Sequence, residues 1–447
     1  MSFITDKQTL DDLNIFGKRG KQSVYAIFNR TCSRGGAEQL EEMFRYPLSD
    51  TDAINRRSGI IRFFQGLQQP FPFSSEWFDT IEQYIGNTDE RSQLTHEDNT
   101  LGRKFKTLIG SDTEYQLLTK GVSSLVEVVQ GLRRFLYAIS PAAAGTPYAT
   151  ELVAMQSILD TAGWEPVYEK KSAGRLSFEE NAAFDKLFRY QYLDEVKKLL
   201  YYIYTLDVYM SVAQVATARK FVFPEAIEKE KHSIHLTNVY HPQLEKPVAN
   251  TLDITPDSNV IFLTGANMAG KSTFMKSLGI ALFLAHMGFP VPAEKMQFSV
   301  REGIFTTINL PDNLHMGYSH FYAEVLRVKK VAEQLGRNRS LFVIFDELFR
   351  GTNVKDAYEA TVAITAAFAT KRNCMFVIST HIMEAGDTLR PVHPNINFMF
   401  LPTRMEQQKP VYPYKLEQGI TADRHGMVII NNEGILDILE NGITKAS

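Results

Sequence analysis

Cysteine is almost absent: Cys32 and Cys374 are the two in 447 residues. That excludes a disulfide framework and a cysteine-based zinc site, and it suggests a reducing compartment. Apolar runs are short. The longest, Leu278 to Phe289, carries His286 and falls below the roughly 18 residues of a membrane span. Met1 to Leu10 lacks a basic stretch followed by an apolar run, so no signal peptide is expected. Neither sign of charge dominates: 48 Lys+Arg stand against 51 Asp+Glu, a formal net charge of −3. That excludes a uniformly basic nucleic-acid coat and leaves room for a local basic patch. What is present is an ordinary globular mixture, 44% hydrophobic and 22% charged, which excludes whole-chain disorder. At about 100 to 200 residues per domain the length predicts two to four domains. The chain can bury a substantial core without disulfides or metals. A soluble, multidomain, cytoplasmic protein with no membrane association is expected.

The texture of the chain changes near residue 225. Before it, apolar residues recur every three or four positions. Leu118, Val122, Leu125, Val129, Leu132 and Leu136 make one stripe. Phe184 to Ala218 repeats the pattern without Gly or Pro, which predicts one long helix. Ser140 to Thr150 reads as a turn or linker. After Phe221 to Pro224, short β-rich runs alternate with helix-length segments: Val260 to Leu263, Leu341 to Phe345 and Met375 to Ile378. Such runs predict a mainly parallel sheet buried on both faces. The expected architecture is an all-α domain at 1–225 followed by an α/β domain at 226–447.

The second half carries the chemistry. Gly265-Ala-Asn-Met-Ala-Gly270-Lys271-Ser272-Thr273 fits the GxxxxGK[ST] phosphate loop, or P-loop. It has a buried strand before it and a helix after it. Glycines let backbone N–H groups curl around phosphate oxygens, and the helix N-terminus adds a favourable dipole. Lys271 would bring charge to the β- and γ-phosphates, and Ser272 a hydroxyl for Mg²⁺. The run ending in Asp346-Glu347 would deliver two acids to the sheet edge where ligands sit in open α/β folds. Asp346 would hold Mg²⁺ through water or Ser272, and Glu347 would position the attacking water. The third run ends at Ser379-Thr380-His381, which places His381 at the same edge, within reach of a γ-phosphate.

These motifs, in this order, resemble the MutS family of DNA mismatch-repair ATPases, a branch of the ABC-type ATPases. The phosphate loop resembles that family's Gly-Pro-Asn-Met-Gly-Gly-Lys-Ser-Thr, with Ala266 and Ala269 as departures and Asn267-Met268 retained. Tyr240-His-Pro242 resembles the family's Arg-His-Pro. Ile304-Phe305-Thr306 resembles its Ile-Phe-Thr-Arg, which implies that Phe305 lies against an adenine. Gly317 to Glu324 resembles Gly-x-Ser-Thr-Phe-x-x-Glu, which implies that Ser319 reaches across a dimer to the partner's γ-phosphate. Phe349 to Asn353 and then Asp356 resemble the loop at the dimer seam. Tyr414 to Gly419 and Gly426 resemble the segments that close the ATPase domain. The likeness extends more weakly into the helical half, through Asn29 to Gly36, Pro47-Leu48, and Leu206 to Pro224, and implies a core and lever domain.

The resemblance implies ATP and Mg²⁺ as cofactors, with Gly265, Asn267, Met268, Gly270, Lys271, Ser272, Thr273, Phe305 and Ser319 binding nucleotide. Ser272 and Asp346 would hold the metal, and Glu347 and His381 would be catalytic. It further implies a homodimeric ATPase that switches a DNA clamp, in mismatch repair or in recognition of branched DNA, with other repair proteins as possible partners. The family's mismatch-reading and connector domains are not expected here; Phe178-Glu-Glu180 fits the string of the reading wedge but precedes a helix. The alternative is an ATP-gated protein–protein scaffold that does not bind DNA. The basic residues Arg56, Arg57, Arg62, Lys197 and Lys198 would either supply a DNA footprint or be solvated helix faces.

Overall fold

A computed structural model of the chain describes residues 3–17, 22–87, 113–161, 163–170, 176–309, 320–349, 351–406, 409–421 and 434–441. The chain divides into two units. One comprises Phe28–Arg45 and Arg56–Ala218; the other comprises Met1–Ile27, Tyr46–Asn55 and Arg219–Ser447. The expected boundary at 225 lies near the last crossing, but two early segments also belong to the later unit.

The first unit is helical. Its main helices are Arg34–Arg45, Ser75–Ile85, Thr113–Ala143, Ala149–Leu159, Phe178–Asp185 and Leu193–Arg219. The stripe from Leu118 to Leu136 is buried along Thr113–Ala143, while Tyr137 on another face is 82% exposed. The helix runs through Pro141 to Ala143, so the expected linker shrinks to the turn around Gly145. The long helix expected from Phe184 to Ala218 is interrupted. A π-helical turn spans Lys186–Gln191, and Tyr192 leaves helical geometry at φ −128°. A buried ion pair sits at this turn. Arg189 donates to both oxygens of Asp185 at 2.6 and 2.7 Å, and the Tyr84 hydroxyl adds a third bond at 2.8 Å. The buried charge is thus compensated where the helix widens.

Gly35 and Gly36 have a packing role. A Cβ on Gly35 would lie 2.4 Å from the Tyr204 ring, and one on Gly36 would lie 2.4 Å from Asp207 Oδ2. The close approach lets the Asp207 carboxylate cap the helix beginning at Arg34. It accepts from Cys32 N–H at 2.9 Å, Ser33 N–H at 2.8 Å and the Ser33 hydroxyl at 2.6 Å.

The second unit holds two main sheets. Its strands are β1 (Glu225–Ile227), β2 (Ile234–Val239), β3 (Asn250–Ile254), β4 (Val260–Gly265), β5 (Lys295–Ser299), β6 (Gly303–Thr307), β7 (Leu341–Phe345), β8 (Met375–Ser379), β9 (Ile396–Leu401), β10 (Arg404–Glu406), β11 (Lys409–Val411) and β12 (Glu417–Gln418). The larger sheet has the order β12-β9-β4-β8-β7-β6, and the smaller the order β1-β5-β2-β3. In the larger, β9, β4, β8, β7 and β6 are parallel neighbours, and β12 joins antiparallel at one edge. Every residue of β4, β7 and β8 is buried, as expected for strands covered on both faces.

The early segments dock on this unit through polar bonds. Ile4 bridges to Gly303 in parallel register. Asp12 accepts from Thr306 Oγ1 at 2.8 Å, Ile308 N–H at 2.8 Å and Asn309 N–H at 3.0 Å. The Leu48 carbonyl lies 2.8 Å from His286 Nδ1 on the buried helix Lys271–His286. His286 Nε2 in turn accepts from Arg301 N–H at 3.3 Å. Burial pushes the imidazole down to about 3. Cys374 is buried, Cys32 is exposed, and both are free. No helix among the described residues is long and apolar enough to cross a membrane.

The buried imidazole sets a pH dependence. Between the ordinary histidine value near 6.5 and the folded value of about 3, the unfolded chain holds a proton that the folded chain refuses. Stability from this residue is therefore complete above about 6.5 and falls with pH, by up to about 1.4 kcal/mol per unit. Urea unfolding of the wild type and His286→Gln at pH 7 and pH 5 should show the steeper loss in the wild type. Equal losses would remove His286 from the titration.

Candidate active site

The site forms where β4, β7 and β8 end. Strand β4 leaves the sheet at Gly265, whose φ is +142°, and passes through a 3-10 turn at Asn267–Ala269. Gly270 then takes φ +95°, and the helix Lys271–His286 begins. A side chain at 270 would be strained, and its Cβ would come within 2.9 Å of the Tyr414 ring. The loop therefore turns tightly enough to aim its N–H groups outward at the start of a helix, the geometry that suits a phosphate.

Lys271 lies inside this loop, only 2% exposed. Its ammonium donates to the Gly265 carbonyl at 2.7 Å and the Ala266 carbonyl at 3.1 Å. Burial lowers its pKa, opposed by Asp346 and Glu347. The next residue, Ser272, donates its hydroxyl to Asp346 Oδ2 at 2.5 Å. Asn267, Met268 and Thr273 are exposed around the loop.

Strand β7 supplies the acids. Burial raises the Asp346 carboxyl, and the hydroxyls of Ser272 and Ser379 oppose it. Its second oxygen, Oδ1, is buried without a hydrogen-bond partner. A buried carboxylate oxygen left unsatisfied beside a serine hydroxyl is the oxygen set that a hard divalent cation takes. The residues fit Mg²⁺. Glu347 and Phe349 both have positive φ, at +52° and +62°. Such backbone costs on the order of 1–3 kcal/mol per residue and persists where the surroundings enforce it. Strand β8, paired in parallel with β7, ends at Thr380-His381. There His381 Nε2 meets Glu347 Oε1 at 2.6 Å. Two strand ends distant in sequence thus share one ion-pair geometry at the loop.

Beside the loop opens a cavity of about 420 Å³. Its walls include Leu244, Val248 and Tyr414, and its floor includes Met268, Gly270, Ser272 and Thr273. Leu244 and Val248 precede the phosphate loop in a stretch with no strong pattern, and sequence reasoning missed them. Tyr414 stands in a segment that resembles the family's, with no role at the nucleotide read from it. The aromatic expected here is Phe305. That ring is instead 2% exposed in the hydrophobic core, on β6, separated from β4 by β8 and β7. It faces the Arg327 guanidinium at 5.8 Å and does not line the cavity. Ser319 lies outside the described residues, as do Asp312, Gly317 and Gly426.

The basic residues singled out in the helical unit do not form one bare patch. Arg56 pairs with Glu151 at 3.6 Å, and burial lowers the pKa of Arg57. Among the described residues no group of three or more His, Cys, Asp or Glu gathers to hold a metal.

Comparison with known proteins matches these elements. Residues 261–444 fit the family model of MutS domain V, spanning the loop, both acids, His381 and Tyr414. The DNA mismatch repair protein MutS of Petrotoga mobilis (strain DSM 10674 / SJ95) is 29% identical over 276 residues, 60% of this chain and 33% of that one. Residues 261–444 are thus similar to MutS domain V, and these matches support a MutS-family protein. MutS protein homolog 4 of Homo sapiens is 28% identical over 246 residues, covering 53% of this chain and 26% of the homolog. The counterpart from Mus musculus is 29% identical over 247 residues, covering 53% and 25%. The chain thus spans a quarter to a third of the length of these curated MutS relatives. Met268 of the MutS-like phosphate loop is 68% exposed and lines the cavity with Asn267.

The buried Asp346 carboxylate beside the Ser272 hydroxyl gives this MutS-like site a testable cation requirement. Replacing Asp346 by Asn keeps the shape and removes the charge. Titration calorimetry of ATP with and without Mg²⁺ should show at least about a tenfold (about 1.4 kcal/mol) Mg²⁺-dependent gain in the wild type, and little gain in Asp346→Asn. An equal gain in both would place the cation elsewhere.

Proposed function

We propose that this chain is the ATPase engine of a MutS-type DNA switch, hydrolysing ATP at sites completed by a second copy. The observation that carries the reading is the meeting of Lys271, Ser272, Asp346, Glu347 and His381 at one sheet edge, beside a cavity large enough for a nucleoside. ATP phosphates would displace the Gly265 and Ala266 carbonyls as partners of Lys271. The loop N–H groups would carry the remaining charge, so that catalysis is mostly positioning and electrostatic stabilisation. Mg²⁺ on Ser272 and Asp346 would neutralise charge on the phosphates. Glu347 would orient the attacking water, with His381 holding its carboxylate in place until the γ-phosphate arrives. Ser319 of a second copy is proposed as the γ-phosphate contact from across the dimer. The base lies in the cavity against Tyr414 and Val248 and not against Phe305.

The coupling to DNA is proposed from family membership and from the relative named a DNA mismatch repair protein. Closure on ATP would act through the long helices on a DNA channel formed by two copies, in mismatch repair or on branched duplexes, with other repair proteins as partners in the cytoplasm. The scaffold reading, without DNA, draws support from the net charge of −3 and from the pairing of Arg56 with Glu151.

Glu347→Gln should retain ATP binding and lose turnover by at least about a hundredfold, a typical size for a positioned acid–base group. A phosphate-release assay beside a nucleotide-binding assay reads both; normal turnover would take Glu347 out of the mechanism. Fluorescence anisotropy with matched, mismatched and four-way-junction DNA, at two salt concentrations, tests the switch. Nucleotide-dependent, salt-sensitive binding is expected. ATP hydrolysis with no binding to any of the three would favour the scaffold.

A further inference from the structure

One wall of the cavity is a strap tied down by a buried amide. Asn250, the first residue of β3, is 6% exposed. Its side-chain nitrogen donates to the Tyr414 carbonyl at 3.0 Å, and its side-chain oxygen accepts from Leu416 N–H at 2.9 Å. The Lys415 ammonium adds a bond to the Ala249 carbonyl. Residues 414–416, which lie between β11 and β12, are therefore stitched to the start of β3. Tyr414 itself has φ +56°, a backbone that a tyrosine does not adopt unforced. Its ring is 44% exposed and reaches over Gly270 into the cavity, so packing alone does not fix it.

We propose that Asn250 is a positioning residue for nucleotide selection, holding Tyr414 as the flat wall against which the base lies. This rests on the nucleotide reading of the site. The amide uses its donor and its acceptor on two points of one strap, which fixes the ring's height over the loop as well as its tilt. Loss of that clamp lets the strap relax toward ordinary φ and withdraws the ring from the base. The phosphate contacts, made by the loop and Lys271, are untouched. Asn250 should therefore govern affinity for the base-bearing part of the ligand and not for the polyphosphate.

The test measures competition of ATP and of inorganic tripolyphosphate against a fluorescent ATP analogue, with Mg²⁺ present. Wild type, Asn250→Ala, Tyr414→Ala and Tyr414→Phe are compared. Asn250→Ala and Tyr414→Ala should weaken ATP about tenfold, the scale of one lost base–aromatic stack, and leave tripolyphosphate within about twofold of the wild type. Tyr414→Phe should match the wild type. Should Asn250→Ala not fold, Asn250→Asp keeps the acceptor for Leu416, loses the donor to Tyr414, and is expected to show the same split. Unchanged ATP affinity in the Asn250 variants overturns the proposal. So does equal weakening of both ligands, which would make Asn250 merely structural. If Lys271→Ala binds ATP as the wild type does, the nucleotide reading fails first, and that result is distinct from the other two.

Discussion

Burial on both faces of β4, β7 and β8 is the constraint on which the site depends. Strands without a solvated face can place polar side chains only at their ends. Parallel pairing brings the same kind of end to the same edge. Gly265 with its loop, Asp346-Glu347 and Thr380-His381 each come directly after such a strand. They meet because the register Phe345↔Ile378 and Leu263↔Ser379 leaves no alternative. The chemistry is thus a by-product of hydrophobic packing that has been given useful residues at its margin. The strained backbone at Glu347 and Phe349 is consistent with that, since the turn must come back over a rigid strand end.

Each active group in the site already has a partner within the chain. Lys271 rests on loop carbonyls, Ser272 on Asp346, and Glu347 on His381. One carboxylate oxygen, Asp346 Oδ1, stands without a partner. Such an arrangement keeps buried charge compensated before substrate arrives. It also means that binding exchanges internal partners for ligand partners instead of creating contacts from nothing, so net affinity depends on how much better the ligand serves them.

How much of this was legible in the sequence depends on the range of each signal. The phosphate loop, the acids after β7 and the histidine after β8 could be read because motif and strand are adjacent in the chain. The helical stripe from Leu118 to Leu136 could be read for the same reason. The buried Asp185–Arg189 pair at the π turn could not, because Tyr84, about a hundred residues away, joins it only through the fold. The cavity walls were hidden likewise. Leu244, Val248 and Tyr414 converge only through the fold, and nothing local distinguishes them from surface residues. The burial of Phe305 was hidden because a resemblance fixes which residues match, whereas burial depends on where the strand sits in the sheet order.

The two early segments of the sheet unit have a consequence for synthesis. The chain emerges N-terminus first, so Ile4, Asp12 and Leu48 appear long before the partners they serve at Gly303, Thr306 and His286. Through all that time the sheet unit is a set of unmatched ends, and only the helical unit can close upon itself. Contacts of such long sequence separation form late and slowly. In the chain the helical unit is therefore an insertion within the sheet unit, not its predecessor. A fragment starting at residue 226 would carry every candidate site residue and still lack the carboxylate that holds the Ile308 and Asn309 amides.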